Sequence, residues 1–203
     1  MPHTLFFPNS TFGWVFYVAL GTTTLLASYW DWKRFVIPKK LSLVALGMGM
    51  LLNVVRGGWL GNNGQGVWLW EASNVGLGAV DGALFALAGF GVGFGLFFAL
   101  WMLGTCGGGD VKLMAALGAW IGPLWAIYVL IGSWLVVVFT VFIVRGGKRV
   151  AAGKIYQKSR KIAYSFPVAL STMLVLLWVF RAELLMRGAP PPAAIPGVVP
   201  VKR

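Results

Sequence analysis

Apolar stretches that approach or exceed the roughly 20 residues needed to span a bilayer recur along this chain, and they limit its fold more than any other feature. Six can be read, over residues 11–30, 41–60, 79–103, 111–121, 123–144 and 162–185. With 59% of 203 residues hydrophobic, 11% charged and a mean hydropathy of +0.81, the apolar surface exceeds what a water-soluble domain of this size buries. The expectation is an all-α, polytopic membrane protein of about six transmembrane helices. Residues 1–187 form one integral-membrane domain, and 188–203, with Pro190, Pro191, Pro192 and Pro196, a disordered tail. Gly122-Pro123 divides the fourth run from the fifth, because proline cannot continue a helix without losing a hydrogen bond. Two helices or one long kinked helix both fit that signal. No Lys or Arg precedes the first run, which favours a retained helix over a cleaved signal peptide.

Charge supplies the orientation. A net charge of +12 invites a nucleic-acid partner, yet basic residues in a membrane protein set topology and meet anionic headgroups. On the six-helix map 12 of the 17 basic residues fall on one side, Lys33, Arg34 and Lys112 among them. That bias places the N-terminus outside and the charged connections in the cytoplasm of a cell whose inner (plasma) membrane holds the protein. Lipid is then the partner, and nucleic acid is not. Residues 57–66 read as a flexible outer loop and 67–77 as a segment along the interface. Gly89 with Gly93, and Gly91 with Gly95, have the spacing that lets helices approach closely, so a homodimer is compatible. The lone Cys106 excludes an internal disulfide and a tetracysteine zinc site, and His3 is the only histidine. No metal and no cofactor is expected.

Five acids remain, and two stand out. Asp31 ends the first run, followed by Lys33, Arg34 and Pro38; Asp110 follows Gly107-Gly108-Gly109 and precedes Val111-Lys112-Leu113 at the start of the fourth. The topology puts both at the cytoplasmic interface. Each acid also has a structural explanation. Glu71 lies in an outer loop, Asp81 can cap the third helix, and Glu183 can pair with Arg187. Asp31 can pair with Lys33 or Arg34, and Asp110 can cap the fourth helix. Capping does not require three glycines, which allow a sharp bend and the approach of another chain. Two carboxyls a few ångströms apart share a proton. The ionised one can then activate water against a peptide carbonyl while the protonated one hydrogen-bonds the carbonyl oxygen.

Gly107-Gly108-Gly109-Asp110 fits a GxGD signature, and with Val111-Lys112-Leu113 it resembles the type IV prepilin peptidase family. Asp31-Trp32-Lys33-Arg34-Phe35-Val36-Ile37-Pro38 is similar to the other half of that family's site. Tyr164-Ser165-Phe166-Pro167-Val168-Ala169-Leu170 is similar to the opening of its last helix. The resemblance runs from about Trp14 to Phe180. It implies that Asp31 and Asp110 are the catalytic pair of a membrane aspartic endopeptidase, supported by Gly107, Gly109, Lys112, Lys33, Arg34, Pro38 and Pro167. The implied substrates are type IV pilin-like precursors, cut at the cytoplasmic face between a short basic leader and an apolar helix. The closest likeness is to compact members that serve tight-adherence (Flp-type) pili. Two departures stand against the family pattern. Lys39 occupies the position after Ile-Pro where Asn is usual, and the cysteine-bearing N-terminal region of the larger, methylating members is missing. Peptidase activity without methyl transfer is the expectation.

Three other readings compete. A presenilin or signal-peptide-peptidase relative would hold its first aspartate deep within a helix. A proton-coupled transporter would line a path across the membrane with acids. A structural component of a secretion or pilus apparatus would tolerate Asp→Asn at either position.

Overall fold

The computed structural model describes residues 6–34, 37–70, 72–104, 106–151, 170–175 and 177. Four long helices account for most of them: α1 (Ser10–Arg34), α2 (Lys39–Asn62), α3 (Val75–Met102) and α4 (Gly108–Ala151), with no strand among the described residues. By length and composition all four are long and apolar enough to cross a membrane, α4 only when its two halves across Gly122 are counted together, against the expected six or so. Residues 170–175, within the sixth apolar run, are helical as well. Pro167 and the proline-rich tail lie outside the described residues.

Helix α1 continues past its apolar run, so Asp31 sits inside the last two turns rather than after them. Lys33 and Arg34 in the final turn meet the negative end of the helix dipole. Pro38, with φ −60° and ψ 132°, starts α2, and its carbonyl accepts from the N–H groups of Leu41 and Ser42. The outer loop expected from residue 57 begins only after Asn62. Gly57, Gly58 and Gly61 belong to α2 because its backbone touches that of α3 there. A Cβ at Gly57 would strike the Gly78 carbonyl, and one at Gly82 the Asn53 carbonyl. Loss of helix propensity at glycine, about 1 kcal/mol each, is offset by this backbone contact.

The expected interfacial segment divides in two. Residues 75–77 already belong to α3, whose N-cap is Asn74, its Oδ1 accepting from Leu77 N–H at 2.9 Å. Asp81, expected as that cap, lies two turns further in and is fully buried. Its carboxylate accepts the N–H groups of Val67 (2.8 Å), Trp68 (2.7 Å) and Leu69 (2.9 Å), and so ties the α2–α3 connection down onto the bundle. Beside it the Arg56 guanidinium lies over the rings of Phe6 (3.9 Å) and Phe85 (4.6 Å).

Helix α4 breaks at Gly122, where φ is 81° and ψ 176°, values that favour glycine. Its first half, residues 108–121, is about 21 Å long. Pro123 has no N–H to offer the Ala119 carbonyl. Asn53 of α2 supplies the missing donor: its Nδ2 reaches the carbonyls of Ala119 (2.8 Å) and Trp120 (3.0 Å). The Trp120 indole in turn donates to the Ala45 carbonyl at 2.7 Å. Contacts then fold back. Trp120 packs on Phe16, near the start of α1. Val129 accepts from Ser171 Oγ (3.3 Å), and Met173 lies against Gly21 in the middle of α1. A straight helix would have carried Val129 about 13 Å past Trp120, beyond the start of α1. The fourth and fifth runs are therefore two helical halves joined by a reversal.

The halves of the bundle are held differently. Helices α3 and α4 touch through backbone, Gly89 against the Gly118 carbonyl and Gly93 against that of Met114. Helix α1 meets the others mainly through side chains, with Phe16 and Leu20 buried in a core shared with Met114, Leu117, Trp120 and Ile121.

Candidate active site

The site grows from the short connection between α3 and α4. Gly104, at φ 72°, turns the chain out of α3, and Gly107 stands as the residue before α4. Asp110 is the third residue of α4, and its Oδ2 reaches back to accept the Gly107 N–H at 3.0 Å. The Gly107 carbonyl accepts from Asp110 N–H (3.0 Å) and from Val111 N–H. This is the acidic half of a capping box, with the acid inside the first turn rather than ahead of it and the Gly107 carbonyl, not a side chain, accepting in return. The structural role expected for Asp110 is thus filled through one carboxylate oxygen. Cys106, half-buried beside it, directs its thiol to the Phe97 carbonyl at 3.5 Å. Burial, and secondarily the charge of Asp110, push that thiol above its usual range.

Asp31 arrives from α1. It is buried, 9% exposed, whereas Trp32, Lys33 and Arg34 that follow it are exposed. The two basic residues expected as its partners turn along the outside of α1. Lys33 donates to Tyr29 Oη (3.2 Å), and Arg34 lies over the Trp30 ring at 4.7 Å. The negative charges of Asp31 and Asp110 lie within electrostatic reach of each other. The side chain that links the two motifs is Ile37. It is buried in the same core as Val111, and it lies 3.5 Å from the position a Cβ on Gly109 would take. Pro38 follows, half-buried, at the head of α2.

Asp31, Ile37, Pro38, Gly107, Gly109 and Asp110 therefore meet at one end of the bundle. Lys112 is exposed on the far side of the first turn from Val111 and Leu113, which are both buried. Lys33 and Arg34 line the rim. Pro167 lies outside the described residues. Of three buried polar residues toward the opposite end, sequence reasoning passed over Asn53 and Arg56 and gave Asp81 only a capping role. Their signal was available, since each interrupts an apolar run where a polar group needs a partner. No group of three or more His, Cys, Asp or Glu that would hold a metal occurs among the described residues.

A bundle of membrane-length apolar helices with two acids within electrostatic reach of each other at one end defines a class, that of polytopic membrane proteins with acids gathered at one end. The particular family follows from comparison: the sequence model of the type IV leader peptidase family matches residues 18–144, and the chain belongs to that family. The match begins within α1 and ends within α4, so both aspartates fall inside it. No curated protein and no solved structure matches the chain. Family membership makes it a prepilin-peptidase-like protease, and the family implies a pilin-like precursor as substrate.

Proposed function

We propose that this protein is an aspartic endopeptidase of the plasma membrane that removes the basic leader of a pilin-like precursor, using Asp31 and Asp110 to activate water. The observation that supports the reading is that these two acids, one on each of two helices far apart in sequence, lie within electrostatic reach of each other, with Asp110 held on the Gly107 N–H. Two neighbouring carboxyls hold one proton between them. The ionised member accepts a proton from water as the water oxygen attacks the scissile carbonyl. The protonated member donates a hydrogen bond to the carbonyl oxygen, whose charge grows in the transition state. The tetrahedral intermediate then collapses as the amine leaves with a proton from the pair. Of the three glycines, Gly108 leaves the most room for a substrate backbone to approach.

The resemblance to tight-adherence members and the expected orientation add a finer reading: a Flp-type enzyme working at the cytoplasmic face. The test is cleavage of a candidate precursor in membranes holding wild type, Asp31→Asn or Asp110→Asn. Each substitution is expected to lower cleavage by about 10²–10⁴-fold, the usual contribution of a positioned acid or base. Full processing by both variants would refute the aspartic mechanism. The pH profile should be bell-shaped, its two apparent values belonging to the pair.

A further inference from the structure

Helix α3 uses its glycines in two different ways. Gly82, Gly89 and Gly93 face backbone of α2 or α4 and are filled by it. Among the described residues, Gly91 and Gly95 face open space, with no atom within 4 Å of the position a Cβ would take. Next to that gap runs a ladder of aromatic rings at helical spacing. Phe90 stacks on Phe94 (5.8 Å, 11° between planes), Phe94 on Phe98 (5.4 Å, 16°), and Phe98 packs on Trp101 (5.5 Å). Phe94, Phe98 and Trp101 are 39–47% exposed although stacked on one another. The ladder covers about 16 Å of helix, half of a bilayer's apolar thickness. It ends beside the site, where the Trp101 indole Nε1 lies 3.9 Å from the Cβ position of Gly108.

We infer that this face of α3 docks the apolar helix of the precursor and delivers the bond at its end to Asp31 and Asp110. The inference rests on the peptidase reading above. A wall of ordered rings beside a paired glycine gap fits a helix, because missing side chains let a second backbone come close. Rings already held by their neighbours lose little further freedom on contact. Continuity with the Gly108–Asp110 turn selects the occupant. A helix lying along the ladder has one end at the two carboxyls, which the substrate requires and a second copy of this chain does not.

Two measurements test it. A photo-reactive phenylalanine analogue replacing Phe94 should crosslink to a full-length precursor co-reconstituted in vesicles, and the same analogue replacing Val44, exposed on α2, should not. Cleavage of that precursor is then compared with cleavage of a short peptide that carries the leader and scissile bond but no apolar helix. Gly95→Leu should lower the precursor-to-peptide ratio of kcat/KM about tenfold relative to wild type, the size of one interhelical contact in a membrane. An unchanged ratio, or adducts from position 94 only to a second copy or to lipid, would overturn the docking face while leaving the peptidase reading intact. Failure of the wild type to cut either substrate would instead remove the peptidase reading, and this face with it.

Discussion

At the scale of single residues, the Cys106 thiol is a usable reporter of its surroundings. Its proton is held more tightly than usual, first by burial and then by the negative charge of Asp110. A raised thiol pKa means less thiolate at any given pH, so alkylation of Cys106 should run slower than that of a free cysteine at neutral pH. Asp110→Asn removes the second cause and leaves the first. Alkylation should then accelerate without reaching the free rate, as followed by mass spectrometry of labelled protein. An unchanged rate would show that the charge at position 110 does not reach the thiol. Both aspartates stood out in the sequence, because acids are scarce and these two flank glycine or basic residues. What the sequence did not convey was their division of labour with the backbone. Asp110 holds the Gly107 N–H from inside the first turn, and Asp31 turns inward while Lys33 and Arg34 lie on aromatic rings outside.

The helices were legible mainly where side chains alone decide. Apolar runs located α1 to α4, and Gly122-Pro123 marked the break within α4. Residues 57–62 were misread because local propensity sees glycine as a helix breaker, while the contact that rewards it comes from α3, some 20 residues later. Asn53 was missed for a related reason: the carbonyls it satisfies lie at the Gly122-Pro123 break of another helix. That role predicts a specific loss. Asn53→Leu leaves the Ala119 and Trp120 carbonyls short of a donor, and should destabilise the fold by about 1–3 kcal/mol. Thermal unfolding in detergent measures it. Gly122→Ala should be worse tolerated than Gly91→Ala in the same assay. The first imposes a strained φ and drives a methyl into Phe85, and the second meets open space.

For the molecule as a whole, polar groups are concentrated at its two ends for different purposes. One end gathers Asp31, Asp110 and the glycine turn. The other gathers Arg56 and Asp81, which bind the N-terminal Phe6 and the 67–69 backbone down onto α2 and α3. Asp81→Ala removes the acceptor of three N–H groups. Limited proteolysis from the side bearing the α2–α3 connection should then cut near Trp68 at least several-fold faster than in wild type, and equal rates would deny the anchor. The carboxylate pair itself has a consequence in time. Asp31 and Asp110 are 79 residues apart in sequence, on the first and last of the four long helices. At synthesis rates of about 5–20 residues per second, Asp110 leaves the ribosome roughly 4–16 seconds after Asp31. Until α4 is inserted, a nascent chain holds one acid and no partner for it. On the proposed mechanism, proteolytic competence is therefore withheld at least until α4 joins α1 in the bundle.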